Sequence, residues 1–297
     1  MEVIDGAALR ADQTPPTTAV CVLVPASAPE RVVAAAVWLG ADVTIAQHAL
    51  ASPQHRPLAH TAGDRISVIA FAVGDADAAP EVHLHVGTRG LLVVCPQPVM
   101  PALSDVVSRV DGGPDDALIA VLLWIANESS ATVQHLADEV VRLDQSRIGL
   151  ASGAVRRTIS RLRHRLFALQ QLWTAHHWLC APDGVLMDAL DRTVAEAGRR
   201  KLRYAGVIFE ASSGAAAQLY ALLGDTLSRQ SAIISERLTL VTVIFLPLTV
   251  SSGFFGMNFN WMTDHVGSAA AFVVLGIVLP LVLVAVTVFA ARRVSGE

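Results

Sequence analysis

Two long uncharged apolar stretches near the C-terminal end constrain the fold of this chain most strongly. They cover residues 238–257 and 268–291 of the 297-residue sequence. At a rise of about 1.5 Å per residue, each stretch is long enough to cross the roughly 30 Å hydrocarbon core of a bilayer as one helix. The sequence therefore predicts two transmembrane helices joined by a short loop, residues 258–267.

Basic residues flank the two stretches on one side of the predicted membrane. Arg229 and Arg237 precede the first stretch, Arg292 and Arg293 follow the second, and the loop 258–267 contains no Lys or Arg. Because cytoplasmic flanks carry the excess of Lys and Arg, we expect a multi-pass protein of the inner membrane with both termini in the cytoplasm. The N-terminal sequence has no basic segment followed by an apolar run, so no cleavable signal peptide is expected.

The first 150 residues have the pattern of a mixed α/β domain. Short β-branched runs separated by Gly, Pro and Asp predict strands at 18–24, 66–73, 81–86 and 91–95, with helices at 29–39 and 117–143. Gly74–Pro80 are expected to form a hairpin-like connection.

Beyond residue 150 the pattern becomes helical. Proline is nearly absent from 151 to 237, and apolar residues recur three and four positions apart, which predicts long helices and a stalk helix that continues into the first membrane stretch. We expect that helix to start near Val185, or after a break around Gly198. The predicted fold class is α+β, with a cytoplasmic α/β domain (1–150), a cytoplasmic long-helix and stalk region (151–237) and a membrane domain (238–297).

Several functional classes are disfavoured by the sequence. The three cysteines form no CxxC or Cys/His pattern, which argues against a disulfide framework or a zinc finger. A net charge of −4 without a basic stripe argues against a nucleic-acid partner. No catalytic constellation is evident, so neither an enzyme nor a bound cofactor is expected. His83 and His85 share one face of a predicted strand, but no further ligand follows at a convincing spacing, and a structural role is expected.

Gly256, Met257 and Asn258 directly follow the first apolar stretch, in the string LTLVTVIFLPLTVSSGFFGMNFNWM. This string closely resembles the CorA family of magnesium transporters, which carry a Gly-Met-Asn signature at the outer end of the first of two C-terminal spans. The resemblance implies a homopentamer with a funnel-shaped cytoplasmic domain and a pore lined by the first span. It implies transport of a divalent cation, most naturally Mg²⁺, with Co²⁺ or Ni²⁺ as further candidates.

The same resemblance identifies Gly256, Met257 and Asn258 as the selectivity filter. Mg²⁺ gives up its water shell reluctantly, so a ring of Asn258 amide oxygens can hold the hydrated ion. Going inward, residues at helical spacing form one stripe, which we predict to line the pore: Gly253, Thr249, Leu246, Thr242 and Leu238. By resemblance, Thr249 is a second polar ring, and the segment from Leu238 to Leu246 is a hydrophobic gate.

Family members are held to close when divalent ions bind carboxylates between cytoplasmic domains. Asp188, Asp191 and Glu196 lie in the corresponding region and are candidate regulatory acids. The expected partners are membrane lipid, divalent cations and further copies of the chain. Two alternatives remain open: a zinc transporter of the ZntB type, whose members usually carry Gly-Ile-Asn, and a membrane-anchored sensor or scaffold without transport.

Overall fold

The structure is a computed structural model that describes residues 1–6, 19–51, 56–73, 79–145, 153–256, 268, 270 and 273–294. The chain divides into two compact units, Met1–Leu223 and Gly224–Glu297. The first unit contains all the strands of the described residues, and the second contains both apolar stretches.

A six-stranded mixed sheet forms the centre of the first unit. The strands are β1 (Glu2–Asp5), β2 (Val20–Pro25), β3 (Leu58–Ala62), β4 (Arg65–Phe71), β5 (Glu81–Val86) and β6 (Gly90–Cys95), in the order β1-β2-β6-β5-β4-β3. The pairs β1–β2 and β2–β6 are parallel, whereas β6–β5, β5–β4 and β4–β3 are antiparallel. The four inner strands are buried along nearly their whole length, which is why their sequences are almost continuously apolar.

Seven helices of the described residues precede the second apolar stretch: α1 (Pro29–Leu39), α2 (Val43–Ala51), α3 (Met100–Ser108), α4 (Pro114–Gln145), α5 (Gly153–Leu179), α6 (Val185–Leu190) and α7 (Glu196–Gly256). The buried stripe of α1 includes Val32 and Leu39, and it packs against β2 and β6 through Val22 and Leu92. Helix α1 ends at Leu39 and is capped by Gly40, which has a left-handed φ of 68°. Residues with a side chain rarely adopt this conformation.

Hydroxyl groups join α7 to two other helices of the first unit. The Ser129 Oγ on α4 lies 3.1 Å from the Ser212 Oγ on α7. The Thr174 Oγ1 on α5 lies 2.8 Å from the Ser213 Oγ on α7. Ser129 and Ser212 are buried, so these small side chains let the helices approach while their hydroxyls stay hydrogen-bonded.

In the second unit, α7 continues to Gly256, and the other apolar stretch forms a π-helical turn (Val274–Val278) followed by α8 (Leu279–Val294). The Leu279 N–H donates to the Val274 carbonyl, one residue further back than in an α-helix. Pro280 follows immediately and has no N–H with which to bond the Gly276 carbonyl. The disturbed bonding before α8 therefore coincides with the proline.

The predicted fold class is confirmed: a mixed α/β domain is followed by long helices, and one helix, α7, runs from Glu196 through most of the first apolar stretch. The helix break lies at residues 191–195, between α6 and α7. A helix does begin at Val185, but it ends at Leu190, and α7 begins at Glu196, two residues before the alternative starting point at Gly198. The pattern missed β1, β3, α2 and α3. The domain boundaries at residues 150 and 237 stay predictions.

The connection predicted at Gly74–Pro80 lies mostly outside the described residues. The strands on either side of it, β4 and β5, are antiparallel neighbours, with Phe71 paired to Glu81.

Candidate functional site

The five residues of the predicted pore stripe, Leu238, Thr242, Leu246, Thr249 and Gly253, all lie on α7 and are all exposed. Other faces of the same helix are equally exposed: Phe245 and Val250 are each 62% exposed, as is Leu246. A helix that is apolar and exposed on every side is unstable in water, because it buries none of its apolar surface. This segment of α7 therefore needs lipid, partner helices or both.

The two threonine hydroxyls of the stripe donate hydrogen bonds to backbone carbonyls of their own helix. The Thr242 Oγ1 donates to the Leu238 carbonyl at 3.0 Å, and the Thr249 Oγ1 donates to the Phe245 carbonyl at 2.8 Å. A hydroxyl has one proton, so each of these oxygens is left with lone pairs that can only accept. Acceptors suit the water molecules around a cation, because those waters point their protons outward.

Of the predicted filter residues, Gly256 is the last residue of α7. Met257 and Asn258 lie outside the described residues. The structure therefore places the first residue of the signature on α7.

Two of the three candidate regulatory acids are engaged in ion pairs. Arg199 contacts the Asp191 carboxylate, and its Nη2 lies 2.9 Å from the Glu196 Oε2. Arg203 also binds Glu196. The hydrogen bond from Arg203 and the two positive charges lower the pKa of the Glu196 carboxyl. A cation at Asp191 or Glu196 would have to displace arginine.

The third acid, Asp188 on α6, lines a cavity of about 320 Å³ together with Asp64, Asp115, Arg192 and Thr193. Burial raises the pKa of the Asp115 carboxyl, opposed by a hydrogen bond from Thr193. The Asp115 Oδ1 is buried and has no hydrogen-bond partner among the described residues.

Sequence reasoning did not connect Asp64 or Asp115 with Asp188, because they lie on different elements far apart in the chain. The sequence around these two acids indicates only their local structure. Asp64 follows Gly63 in a tight turn, and Asp115 lies in the first turn of α4. Across the described part of the chain, no three His, Cys, Asp or Glu side chains are grouped closely enough to hold a metal ion.

Two helices are long and apolar enough to cross a membrane by length and composition, within Pro114–Leu143 and Glu196–Val250. Half of the most apolar window in the first is buried inside the protein, and α4 there contacts β5, β6 and α3, as a core helix does. No residue of the corresponding window in the described part of α7 is buried. A shorter apolar helix covers Val274–Phe289.

Comparison with known proteins agrees with this architecture. A family model described as CorA-like Mg²⁺ transporter protein matches residues 34–293. No curated protein matches the chain.

Among solved structures, the chain resembles the complete CorA magnesium transporter from Methanocaldococcus jannaschii, with a TM-score of 0.69, 15% identity and coverage of 92% of this chain and 90% of that one. It also resembles the full-length CmaX protein, with a TM-score of 0.55, 14% identity and coverage of 92% and 87%. The cytoplasmic domain of ZntB from Vibrio parahaemolyticus RIMD 2210633 matches with a TM-score of 0.55, 12% identity and coverage of 76% and 91%.

At these identities the solved structures show a shared fold, and the family model, which covers most of the chain, shows the family. The chain therefore belongs to the CorA-like Mg²⁺ transporter family, whose members are membrane-embedded transporters of divalent cations and not enzymes.

Proposed function

We propose that this chain forms a homopentameric pore in the inner membrane, with both termini in the cytoplasm, that conducts Mg²⁺ into the cell. Co²⁺ and Ni²⁺ are further permeant ions in this proposal. The membrane potential drives the flux, and no catalytic step or cofactor takes part. The observation that carries the proposal is the Gly-Met-Asn string, whose first residue, Gly256, lies on α7 in a chain of the CorA family.

Assembly from several copies follows from the size of the membrane part. Two membrane helices per chain cannot easily enclose an aqueous path, so a pore requires a ring of subunits. The ring also gives α7 the partner helices that its exposed apolar surface requires.

The proposed path combines acceptor groups with apolar constrictions. Asn258 supplies a ring of amide oxygens at the outer mouth, and Thr249 supplies a second ring of hydroxyl oxygens. Each Thr249 hydroxyl donates its proton to the Phe245 backbone carbonyl, so the hydroxyl oxygens of this ring can accept hydrogen bonds from the water shell of a cation. Leu246 and Leu238 are the apolar constrictions, which can close the path by excluding water.

Regulation by cytoplasmic Mg²⁺ is assigned to Asp188 in preference to the other two acids. Asp191 and Glu196 are already paired with arginine, whereas no ion pair of Asp188 occurs among the described residues. Because no three metal-ligating side chains meet within the described part of one chain, the remaining ligands would come from water or a neighbouring subunit.

Zinc transport of the ZntB type is the competing function, supported by the likeness to the ZntB cytoplasmic domain. Met257 favours Mg²⁺, because ZntB-type proteins usually have isoleucine at that position of the signature. Comparing Zn²⁺ with Mg²⁺ uptake, with and without a proton gradient, separates the two functions.

The test is ion flux into liposomes that contain the purified protein. Wild-type protein should admit Mg²⁺ when the interior is negative, and Asn258→Ala should abolish the flux or its selectivity. Asn260→Ala, two residues further along the same loop, is the matched control and should retain it. Unchanged selective flux in Asn258→Ala would remove the filter assignment, and absence of Mg²⁺ flux in the wild type would remove the function.

A further inference from the structure

Two histidines lie side by side inside the first unit, on residues that the proposed ion path does not use. His83 and His85 are alternate residues of β5, so their side chains point to the same face of the sheet. They are 5% and 0% exposed, and their ring centroids are 6.3 Å apart with the ring planes at 84°. Two buried imidazoles this close are an unusual use of core volume, since a polar ring gains less from burial than an apolar side chain.

One nitrogen of each ring is held by a neighbouring side chain. The His83 Nε2 lies 3.0 Å from the Glu81 Oε2, and the His85 Nδ1 lies 3.0 Å from the Ser67 Oγ on β4. Ser67 pairs directly with His85 across the two strands, which fixes the side of the ring that it meets. Both rings are therefore held in fixed orientations by a second side chain.

The other nitrogen of each ring is left unused. The His83 Nδ1 and the His85 Nε2 are buried and have no hydrogen-bond partner among the described residues. Because a carboxylate only accepts, His83 must carry its proton on Nε2, and its Nδ1 in the neutral ring is then a free lone pair. Leaving a buried polar atom unpaired is unfavourable, so two such atoms in adjacent side chains point to a ligand.

This combination is the one found in metal-binding histidines. Such a histidine typically gives its non-coordinating N–H to a carboxylate or other oxygen, which orients the ring and strengthens the ligand. With metal–nitrogen bonds of roughly 2 Å and ring centres about 1 Å behind the nitrogens, a linear nitrogen–metal–nitrogen unit sets the ring centres about 6 Å apart. The observed separation of the ring centroids, 6.3 Å, is close to that spacing.

The surroundings select the type of ion. No third His, Cys, Asp or Glu joins the pair in the described part of the chain, and with side chains this deeply buried little room remains for water ligands. Two-coordinate binding by imidazole suits a soft monovalent ion with a filled d shell, Cu(I) above all. The charge of Glu81 balances one positive charge, whereas a divalent ion would leave an uncompensated charge in the core.

We propose that His83 and His85 form a two-coordinate binding site for a monovalent soft metal ion, Cu(I), oriented by Glu81 and Ser67. Glu81 also lines a cavity of about 550 Å³ with Phe71 and Trp178, which gives an ion a route towards His83.

The experiment uses the full-length protein in detergent, titrated anaerobically with Cu(I) against a coloured Cu(I) chelator. One Cu(I) should bind per chain, and X-ray absorption of the loaded wild type should show two nitrogen neighbours and no sulfur. His83→Gln and His85→Gln should abolish this binding. Glu81→Gln and Ser67→Ala should weaken it roughly 10–100-fold, as loss of an orienting partner does at metal sites.

The matched control is His60→Gln, which removes an exposed histidine that pairs with Ser67 from β3. It should bind Cu(I) as the wild type does. Sulfur neighbours in the wild-type spectrum would overturn the proposal, because they would assign the ion to cysteine, and this result does not depend on how well any variant folds. Unchanged binding in the His83 and His85 variants, or histidine-dependent binding of Zn²⁺ in place of Cu(I), would also overturn it.

Discussion

The imidazole of His176 accepts a hydrogen bond from the backbone N–H of Phe71, across 3.1 Å and 105 positions of sequence. Its other nitrogen, Nδ1, lies 3.0 Å from the Leu172 carbonyl, so the ring is neutral with its proton on Nδ1. The ring also stacks on Phe209, with centroids 4.7 Å apart. One buried histidine thus joins the end of β4, helix α5 and helix α7.

This contact predicts an acid-sensitive fold. Burial lowers the pKa of His176 from 6.5 to about 4. In the unfolded chain the ring takes up a proton below pH 6.5, whereas in the folded protein it stays neutral down to about pH 4. The unfolded state then binds more protons in this window, so stability should be full above pH 6.5 and fall by roughly 3 kcal/mol as the pH drops to 4.

Thermal unfolding of the detergent-solubilised protein between pH 4 and 7 measures this dependence. His176→Gln should reduce the slope by about half, because burial also lowers the pKa of His85 to about 4, and the exposed His135→Gln should leave the slope unchanged. Equal slopes in the wild type and His176→Gln would contradict the assignment.

Replacement by alanine should have opposite effects on stability at Gly90 and at Gly214. A Cβ at Gly90 would collide with the Val20 carbonyl oxygen, because the two residues pair in the parallel strands β6 and β2. Gly90→Ala should therefore destabilise the protein by about 1–3 kcal/mol or more. At Gly214, inside α7, a Cβ would meet nothing within 4 Å, so Gly214→Ala should stabilise by about 0.5–1 kcal/mol. Chemical denaturation compares the two variants, and a neutral Gly90→Ala would refute the close strand approach.

Comparing substitutions of Thr249 and Thr287 distinguishes a threonine that lines the pore from one that only bonds its own helix. Both hydroxyls donate to the backbone of their own helix, Thr249 to Phe245 at 2.8 Å and Thr287 to Leu283 at 2.9 Å. Thr249→Val removes the proposed acceptor ring and should lower Mg²⁺ flux into liposomes by roughly fivefold or more, since the loss of one hydrogen bond costs about 1 kcal/mol. Thr249→Ser should retain flux, and Thr287→Val should match the wild type. Equal effects of the two valine variants would exclude a special role for Thr249.

Asp188 and Asp191 have different surroundings in the structure, so we expect their substitution to affect regulation differently. Asp191 is held by Arg199, and Asp188 faces the cavity with Asp64 and Asp115. Asp188→Asn should raise the internal Mg²⁺ concentration needed to inhibit uptake by roughly tenfold, and Asp191→Asn should change it little. The measurement is uptake into vesicles preloaded with graded Mg²⁺. A larger effect at Asp191 would reverse the assignment.

Features that depend on neighbouring residues in sequence could be predicted. The helix through residue 250 follows from a long uncharged stretch, and strands β4 to β6 follow from runs of β-branched residues. Strand β1 is only Glu2–Asp5, and its identity depends on pairing with β2, which its own four residues do not encode. Strand β3, Leu58–Ala62, is exposed along one edge of the sheet and has too little apolar patterning to be recognised.

In the candidate sites, too, features set by nearby residues could be predicted and those set by distant contacts could not. The stripe from Leu238 to Gly253 was predicted because helical spacing alone places its members on one face. The meeting of Asp115 with Asp188 could not be predicted, because it depends on how α4 and α6 are arranged around the β3–β4 turn. The arginine partners of Asp191 and Glu196 likewise appear only once the break before α7 has been placed.

The π-helical turn at Val274–Val278 alters how the last helix should be aligned and drawn. A π turn accommodates one extra residue, so every side chain after it is rotated by about 100° from where a regular helical wheel would put it. Thr287 and Phe289 therefore face a different direction than a count from Val273 suggests. A relative with an uninterrupted α-helix here would align correctly only with a one-residue gap beside Gly276, and cross-linking positions chosen from an ungapped alignment would miss their partners.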